Sequence, residues 1–155
     1  MTTGAPERRE GERLPFTHTR PIFWQDTDAA RIVYTGRFVD YMLEAAEAFM
    51  RAYLGQDWFI QTVDQGSGGP VVHLDIDFVS PLTPRDMLEV EVYVERVGRT
   101  SVTYAVRGYG SGRRLSFTGR FVSVRVSYER RRSIPLDDDV RAILEDYRAR
   151  CPAPE

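Results

Sequence analysis

Residues 35–54 constrain this chain more than any other stretch. Apolar Phe38, Met42, Ala45, Phe49 and Tyr53 recur together with Val39, Leu43, Ala46, Met50 and Leu54. That spacing predicts an α-helix. Polar Asp40, Glu44, Glu47 and Arg51 hold one narrow stripe at i, i+4, i+7 and i+11. A helix apolar over so wide an arc is buried around most of its circumference. It is about 30 Å long, with Thr35 placed to cap its start and Gly55 to end it. One helix of this kind needs a sheet wrapped around it.

The remaining patterns supply that sheet. Residues 14–25 hold the β-formers Phe16, Ile22, Phe23 and Trp24, with Pro21 marking an edge or a bulge. A short helical segment is expected at 57–63, and 65–70 reads as a flexible loop. Residues 71–79 alternate, with Val72, Leu74, Ile76 and Phe78 on one face. Residues 87–97 put Leu88, Val90, Val92 and Val94 inward and Glu89, Glu91 and Glu95 outward. Gly98-Arg99 suits a two-residue type II′ hairpin. Residues 100–109 return, and 110–112 turn again. The last strand, 115–128, shifts its inward phase from Leu115 and Phe117 to Val122, Val124 and Val126, which predicts a bulge near Gly119. A final amphipathic helix covers 137–150. The outer face carries Asp75, Asp77, Glu89, Glu91, Arg107, Arg120 and Arg125, so it is solvated or contacts another subunit. The order defines an α+β class with a five-stranded antiparallel sheet, in one domain over 14–150. A polar, disordered arm precedes it at 1–13.

Composition removes several function classes. A length of 155 residues with 42% hydrophobic and 28% charged residues is an ordinary soluble domain. The net charge of −2 offers no basic field to nucleic acid. No apolar run approaches the roughly 20 residues of a membrane helix, and residues 1–12 lack the apolar core of a secretory signal. The chain contains no lysine, which excludes Schiff-base chemistry, a P-loop lysine and a serine–lysine dyad. Cys151 is the sole cysteine, so no intrachain disulfide forms and thiol-ligated zinc is not expected. A reducing cytoplasm suits it, and its Cys-Pro-Ala-Pro tail reads as mobile. No Gly-x-Ser-x-Gly elbow is present. His18 reads as ordinary surface. His73 shares a strand face with Asp75 and Asp77, but alternate positions lie about 7 Å apart, too far for one ion, so no metal is expected.

Asp26 and Asp28 lie between the first strand and the buried helix. A carboxylate beside a helix N-terminus is favoured electrostatically, and aspartates also build turns. Spacing alone leaves catalysis and turn-making both open. The surrounding stretch Trp24-Gln25-Asp26-Thr27-Asp28-Ala29-Ala30-Arg31-Ile32-Val33-Tyr34 continues through Phe38, Asp40-Tyr41, Glu44-Ala45-Ala46 and Gly55. It resembles the signature of the hotdog-fold acyl-CoA thioesterases, the 4-hydroxybenzoyl-CoA thioesterase family, over about residues 16–128.

The resemblance implies a hotdog fold and hydrolysis of an acyl-CoA to the free acid and coenzyme A. It maps the catalytic carboxylate onto Asp28 and a turn-shaping role onto Asp26. The thioester carbonyl would sit on backbone N–H groups around Thr35 and Gly36, a helix N-terminus suiting an oxygen that becomes negative. Gly36 would let substrate approach the backbone closely. Two departures stand out: Arg31 replaces the usual glycine, where it crowds the site or binds part of the ligand, and Thr35 replaces a histidine that many relatives carry. Asp28 then works largely alone, as nucleophile or as base on water.

The same resemblance places Gly66 and Ser67 in a wall of the acyl pocket, with a plain linker as the alternative. His73 is a possible substrate contact. Tyr34, with Trp24, Phe38, Tyr41, Trp58 and Phe59, would suit an aryl or medium-size acyl group, or simply belong to the core. Arg96, Arg99 and the Arg130–Arg132 run are candidates for the coenzyme A phosphates, which guanidinium groups pair bidentately, or are merely solvated. Coenzyme A enters only as part of substrate and product, and no metal or redox cofactor is implied. The resemblance further implies that two subunits pair their sheets, giving a homodimer or homotetramer. An acyl-carrier-protein thioesterase and a non-catalytic acyl-CoA-binding module are the alternatives.

Overall fold

The computed structural model describes residues 11–155. The wide apolar arc produces α1 (Arg37–Leu54), which buries Phe38, Tyr41, Met42, Ala45, Ala46, Phe49 and Met50. It starts two residues later than the sequence suggested. Gly36 is the N-cap; it has no side chain to cap with, and the Tyr34 and Thr35 carbonyls accept the Arg37 and Phe38 N–H groups instead. Gly55 ends the helix at φ 63, as expected.

The strands are β1 (Phe16–Pro21), β2 (Ser67–Gly68), β3 (Val71–Phe78), β4 (Met87–Val97), β5 (Ser101–Gly110), β6 (Arg114–Val124), β7 (Val126–Ser127) and β8 (Arg132–Ser133), followed by α2 (Asp138–Arg150). Five of them form the main antiparallel sheet in the order β1-β4-β5-β6-β3. Val90, Val92 and Val94 face the helix with Val102, Tyr104, Val106, Phe117 and Phe121. Gly119 lets α1 come close: a Cβ there would lie 2.6 Å from the Met42 methyl.

An aromatic cluster locks the far end of α1. Phe49 packs within 4.7–6.0 Å of Phe16, Tyr53, Tyr104 and Tyr147. The Tyr147 hydroxyl accepts the Phe16 N–H at 2.9 Å and donates to the Val92 carbonyl at 2.6 Å. It thereby bridges the Phe16–Val92 pair at the start of β1. Among the described residues no helix is long and apolar enough to cross a membrane.

Several expectations need correction. Gly119 pairs regularly, and the irregularity in β6 falls opposite the Gly108–Tyr109 step. Phe117, Gly119 and Phe121 therefore face the helix, and Val122 pairs with Thr103 on the other face. The β4–β5 turn closes through the Gly98 N–H to the Ser101 carbonyl at 2.7 Å, so its tip is Arg99-Thr100. The expected loop at 65–70 contains β2, which joins β7 and β8 in a second, three-stranded sheet. A π-helical turn at Ile60–Asp64 precedes it.

Cys151 is buried, because the C-terminal tail packs back onto the molecule and Arg107 binds the Glu155 carbonyl at 3.1 Å. Burial pushes the Cys151 thiol pKa up. Glu91 is likewise buried, satisfied by the Tyr93 hydroxyl at 2.7 Å and by Arg113 at 2.9 Å. Of the proposed arm, residues 1–10 lie outside the described residues, and Glu12 is engaged by Tyr53 and Arg150.

Candidate active site

The chain must reverse between Pro21 and α1, and it does so in two successive turns. Trp24–Asp26 forms one 3-10 turn, closed by the Asp26 N–H on the Phe23 carbonyl and the Thr27 N–H on the Trp24 carbonyl, each at 3.0 Å. Next comes a tight hairpin loop. The Asp28 N–H donates to the Ile32 carbonyl at 3.0 Å, and the Arg31 N–H donates to the Asp28 carbonyl at 2.9 Å. This pattern is a turn followed by a left-handed residue, here Arg31 at φ 64. That conformation costs a residue with a Cβ roughly 1–2 kcal/mol, which gives the usual glycine its conformational reason. The loop is tied down by the Val33 N–H on the Leu82 carbonyl at 2.9 Å and the Tyr34 N–H on the Asp26 carbonyl at 2.8 Å.

Asp26 is 2% exposed. Its Oδ2 accepts the Phe23 N–H at 2.9 Å and an Arg20 Nη2–H at 3.2 Å, and Arg37 Nε lies 3.6 Å from Oδ1. Arg20 also lies 4.7 Å from the Tyr41 ring centre. Burial, reinforced by the Asp26 charge, pushes the Tyr41 phenol well above its ordinary range.

Asp28 has the opposite setting. It is exposed, its Oδ1 accepts the Ala30 N–H at 2.8 Å, and it has no ion pair. A few residues on, the N–H groups of Thr35 and Gly36 have no hydrogen-bond partner. A carboxylate can attack a carbonyl carbon or take a proton from water. Two adjacent N–H groups at a helix start can hold the oxygen that becomes negative. The space beside Gly36 is not open, however. A Cβ there would lie 2.7 Å from the Tyr34 ring, and that ring is itself 57% exposed. Phe23, Trp24 and Phe78 are also largely exposed. Phe78 read as core from its alternation; it touches Phe38 at 5.0 Å but sits on an edge strand. Arg20, the ion partner of Asp26, was missed; its only signal was its inward parity on β1, paired with Leu88.

The candidate residues fall into two groups at opposite ends of β3. Asp28, Arg31, Tyr34, Thr35 and Gly36 lie toward the Phe78 end. Gly66 and Ser67 lie toward the Val71 end, where Ser67 pairs with Ser127 and the Tyr128 N–H reaches the Gly66 carbonyl at 3.2 Å. Arg130 shares a groove with Gly66 there. Arg99 lies at that end too, since the adjacent Ser101 pairs with Val124. His73 is exposed and bonds Asp75 at 3.0 Å, near the start of β3. Eight residues of strand separate the ends by about 25 Å, so one chain does not bring the groups together. Met50, Trp58, Tyr104, Phe121, Ser67 and Gly69 help enclose a cavity of about 60 Å³ at the Val71 end. That is well below the roughly 150 Å³ of a cavity that admits benzene.

Comparison with known proteins identifies the class. Residues 22–144 match the thioesterase-like superfamily. A crystal structure of a thioesterase superfamily protein from Jannaschia sp. CCS1 is 32% identical with a TM-score of 0.82, covering 95% of this chain and 100% of that one. The chain therefore belongs to the thioesterase-like superfamily, and is a hotdog-fold thioester hydrolase. The 1,4-dihydroxy-2-naphthoyl-CoA hydrolase of Acaryochloris marina is 30% identical over 125 residues, 77% of this chain and 90% of the relative. The 1,4-dihydroxy-2-naphthoyl-CoA thioesterase of Synechocystis shares the fold, with a TM-score of 0.78 at 22% identity, over 84% of this chain and 96% of that one.

Proposed function

We propose that this thioesterase hydrolyses an aryl-CoA to the aryl acid and coenzyme A, using Asp28 on a carbonyl held by the Thr35 and Gly36 N–H groups. One observation carries the reading: a single connection presents an exposed, unpaired carboxylate and two unpartnered N–H groups at the start of a buried helix. An aromatic acyl group is supported by the substrate named for the Acaryochloris relative and by the exposed rings of Trp24, Tyr34 and Phe78. Coenzyme A takes part as substrate and product only, with no metal or redox cofactor, and residues 14–150 form the working unit in a reducing cytoplasm.

The second half of the site comes from a second copy in this reading. β3 is an edge strand with Val71, Val72, Phe78 and Val79 exposed beside it. An unpaired edge of this length invites pairing. Two β3 strands paired antiparallel bring Gly66, Ser67, His73 and Arg130 of one subunit toward Asp28 of the other, in a homodimer or a tetramer built from it. Arg130, with Arg99 at the same end, then serves the coenzyme A phosphates.

A thiol-release assay tests the reading. It compares 1,4-dihydroxy-2-naphthoyl-CoA, benzoyl-CoA, short and long alkyl-CoAs, and matched acyl-carrier-protein thioesters. The highest kcat/KM is expected on an aryl-CoA. Preference for the carrier-protein thioester, or binding without turnover on all of them, contradicts it.

A further inference from the structure

Arg31 has a conformation that the folded chain alone does not repay. Among the described residues, three non-glycine residues stand in the left-handed region: Arg31, Arg113 and Arg131. Arg113 is anchored, with Glu91 at 2.9 Å and the Tyr109 ring centre at 3.9 Å. Arg131 lies in the β7–β8 turn, within the arginine run already assigned to phosphates. Arg31 is exposed, and its side chain has no hydrogen bond, ion pair or ring contact. Its nearest carboxylate along the chain is Asp28, in the same hairpin loop. The two charges form no ion pair, and Asp28 Oδ1 takes the Ala30 N–H instead. A strained backbone at the lip of a site points to a ligand contact.

We propose that Arg31 selects the acyl group, its guanidinium binding an acidic oxygen, phenolic or carboxylate, on the aryl ring. This rests on the thioesterase reading of Asp28. The phosphates of coenzyme A stand at the far end of the extended pantetheine arm, out of reach of a side chain rooted in the loop of Asp28. The acyl end is within reach. An acidic substituent there is repelled by the Asp28 carboxylate, and a fixed positive charge three residues away offsets that repulsion. The planar fork of an arginine matches paired oxygens.

The test measures kcat/KM on benzoyl-CoA, 2-hydroxybenzoyl-CoA and 4-carboxybenzoyl-CoA for the parent, Arg31→Gly and Arg31→Gln. The parent should prefer one of the acid-bearing substrates, and which one tells a phenolic from a carboxylate partner. In both variants the ratio of that substrate to benzoyl-CoA should fall about ten-fold or more, within the range of one charged hydrogen-bonded contact. Only Arg31→Gly relieves the backbone, so only it should gain about 2 °C in melting temperature. A parent without preference, an unchanged ratio, or an equal loss on all three substrates overturns the assignment. If Asp28→Asn keeps full turnover, the thioesterase reading of the site fails instead, whatever the Arg31 ratio.

Discussion

Asp26 and Asp28 are separated by one residue and live in opposite surroundings. The Asp26 carboxylate is buried, with the Phe23 N–H, Arg20 and Arg37 around it. Asp28 faces solvent with one N–H to its Oδ1 and no counter-ion. A carboxylate whose lone pairs are spent on N–H donors and a guanidinium organises the backbone, because loss of it strands its partners away from water. A carboxylate with open lone pairs is available to a substrate. In the proposed reading the first aspartate serves architecture and the second chemistry, although both occupy the same connection.

The largest structural effect should come from Asp26→Ala. It removes the acceptor of the Phe23 N–H and the buried partner of Arg20, whose other partner, Glu44 at 2.8 Å, remains, and should cost about 3 kcal/mol, read as a lower urea midpoint. Gly36→Val comes next. The added atoms meet the Tyr34 ring and crowd the two N–H groups, so kcat/KM should fall about ten-fold, or about 1.4 kcal/mol. Because that ring is exposed and can turn away, melting should change little. Asp26→Asn is milder than Asp26→Ala, because the amide oxygen still accepts the Phe23 N–H; about 1 kcal/mol is expected in the same urea experiment.

A third carboxylate sharpens the contrast at small scale. Burial raises the pKa of Asp86, but the Thr83 and Ser111 N–H groups and Arg114 outweigh it, and the net shift is downward. A depressed folded pKa adds stability that is complete above the unfolded value of about 3.9 and is lost as pH falls through the folded value. Asp86→Asn should therefore shallow the loss of stability below about pH 4, measured by urea unfolding from pH 5 downward, without changing turnover.

The long helix and the strands of the main sheet were legible from their apolar periods, although the irregularity in β6 hid its inward phase. Gly55 announced its own turn. The features that escaped depend on contacts between distant residues. Cys151 read as mobile beside two prolines, yet the tail packs back on the molecule. Glu91 read as solvated by parity, yet Tyr93 and Arg113 satisfy it under cover. β2, β7 and β8 have two residues each, too short for any period to declare them. At the candidate site, the motif pointed to Asp28 and the helix start. It did not disclose that Tyr34 lies against Gly36, that Arg31 is left-handed, or that Arg20 partners Asp26, since those are matters of backbone and packing.

The most direct test is Asp28→Asn, assayed for turnover on the best aryl-CoA and for melting in the same preparation. The amide keeps the shape of the side chain and an oxygen for the Ala30 N–H, but it is neither a good base nor a nucleophile. The account predicts a fall in kcat of about 10²–10⁴-fold, with a melting temperature close to that of the parent. Full turnover in Asp28→Asn would contradict the division of roles, and so would a loss of activity that merely tracks a loss of fold.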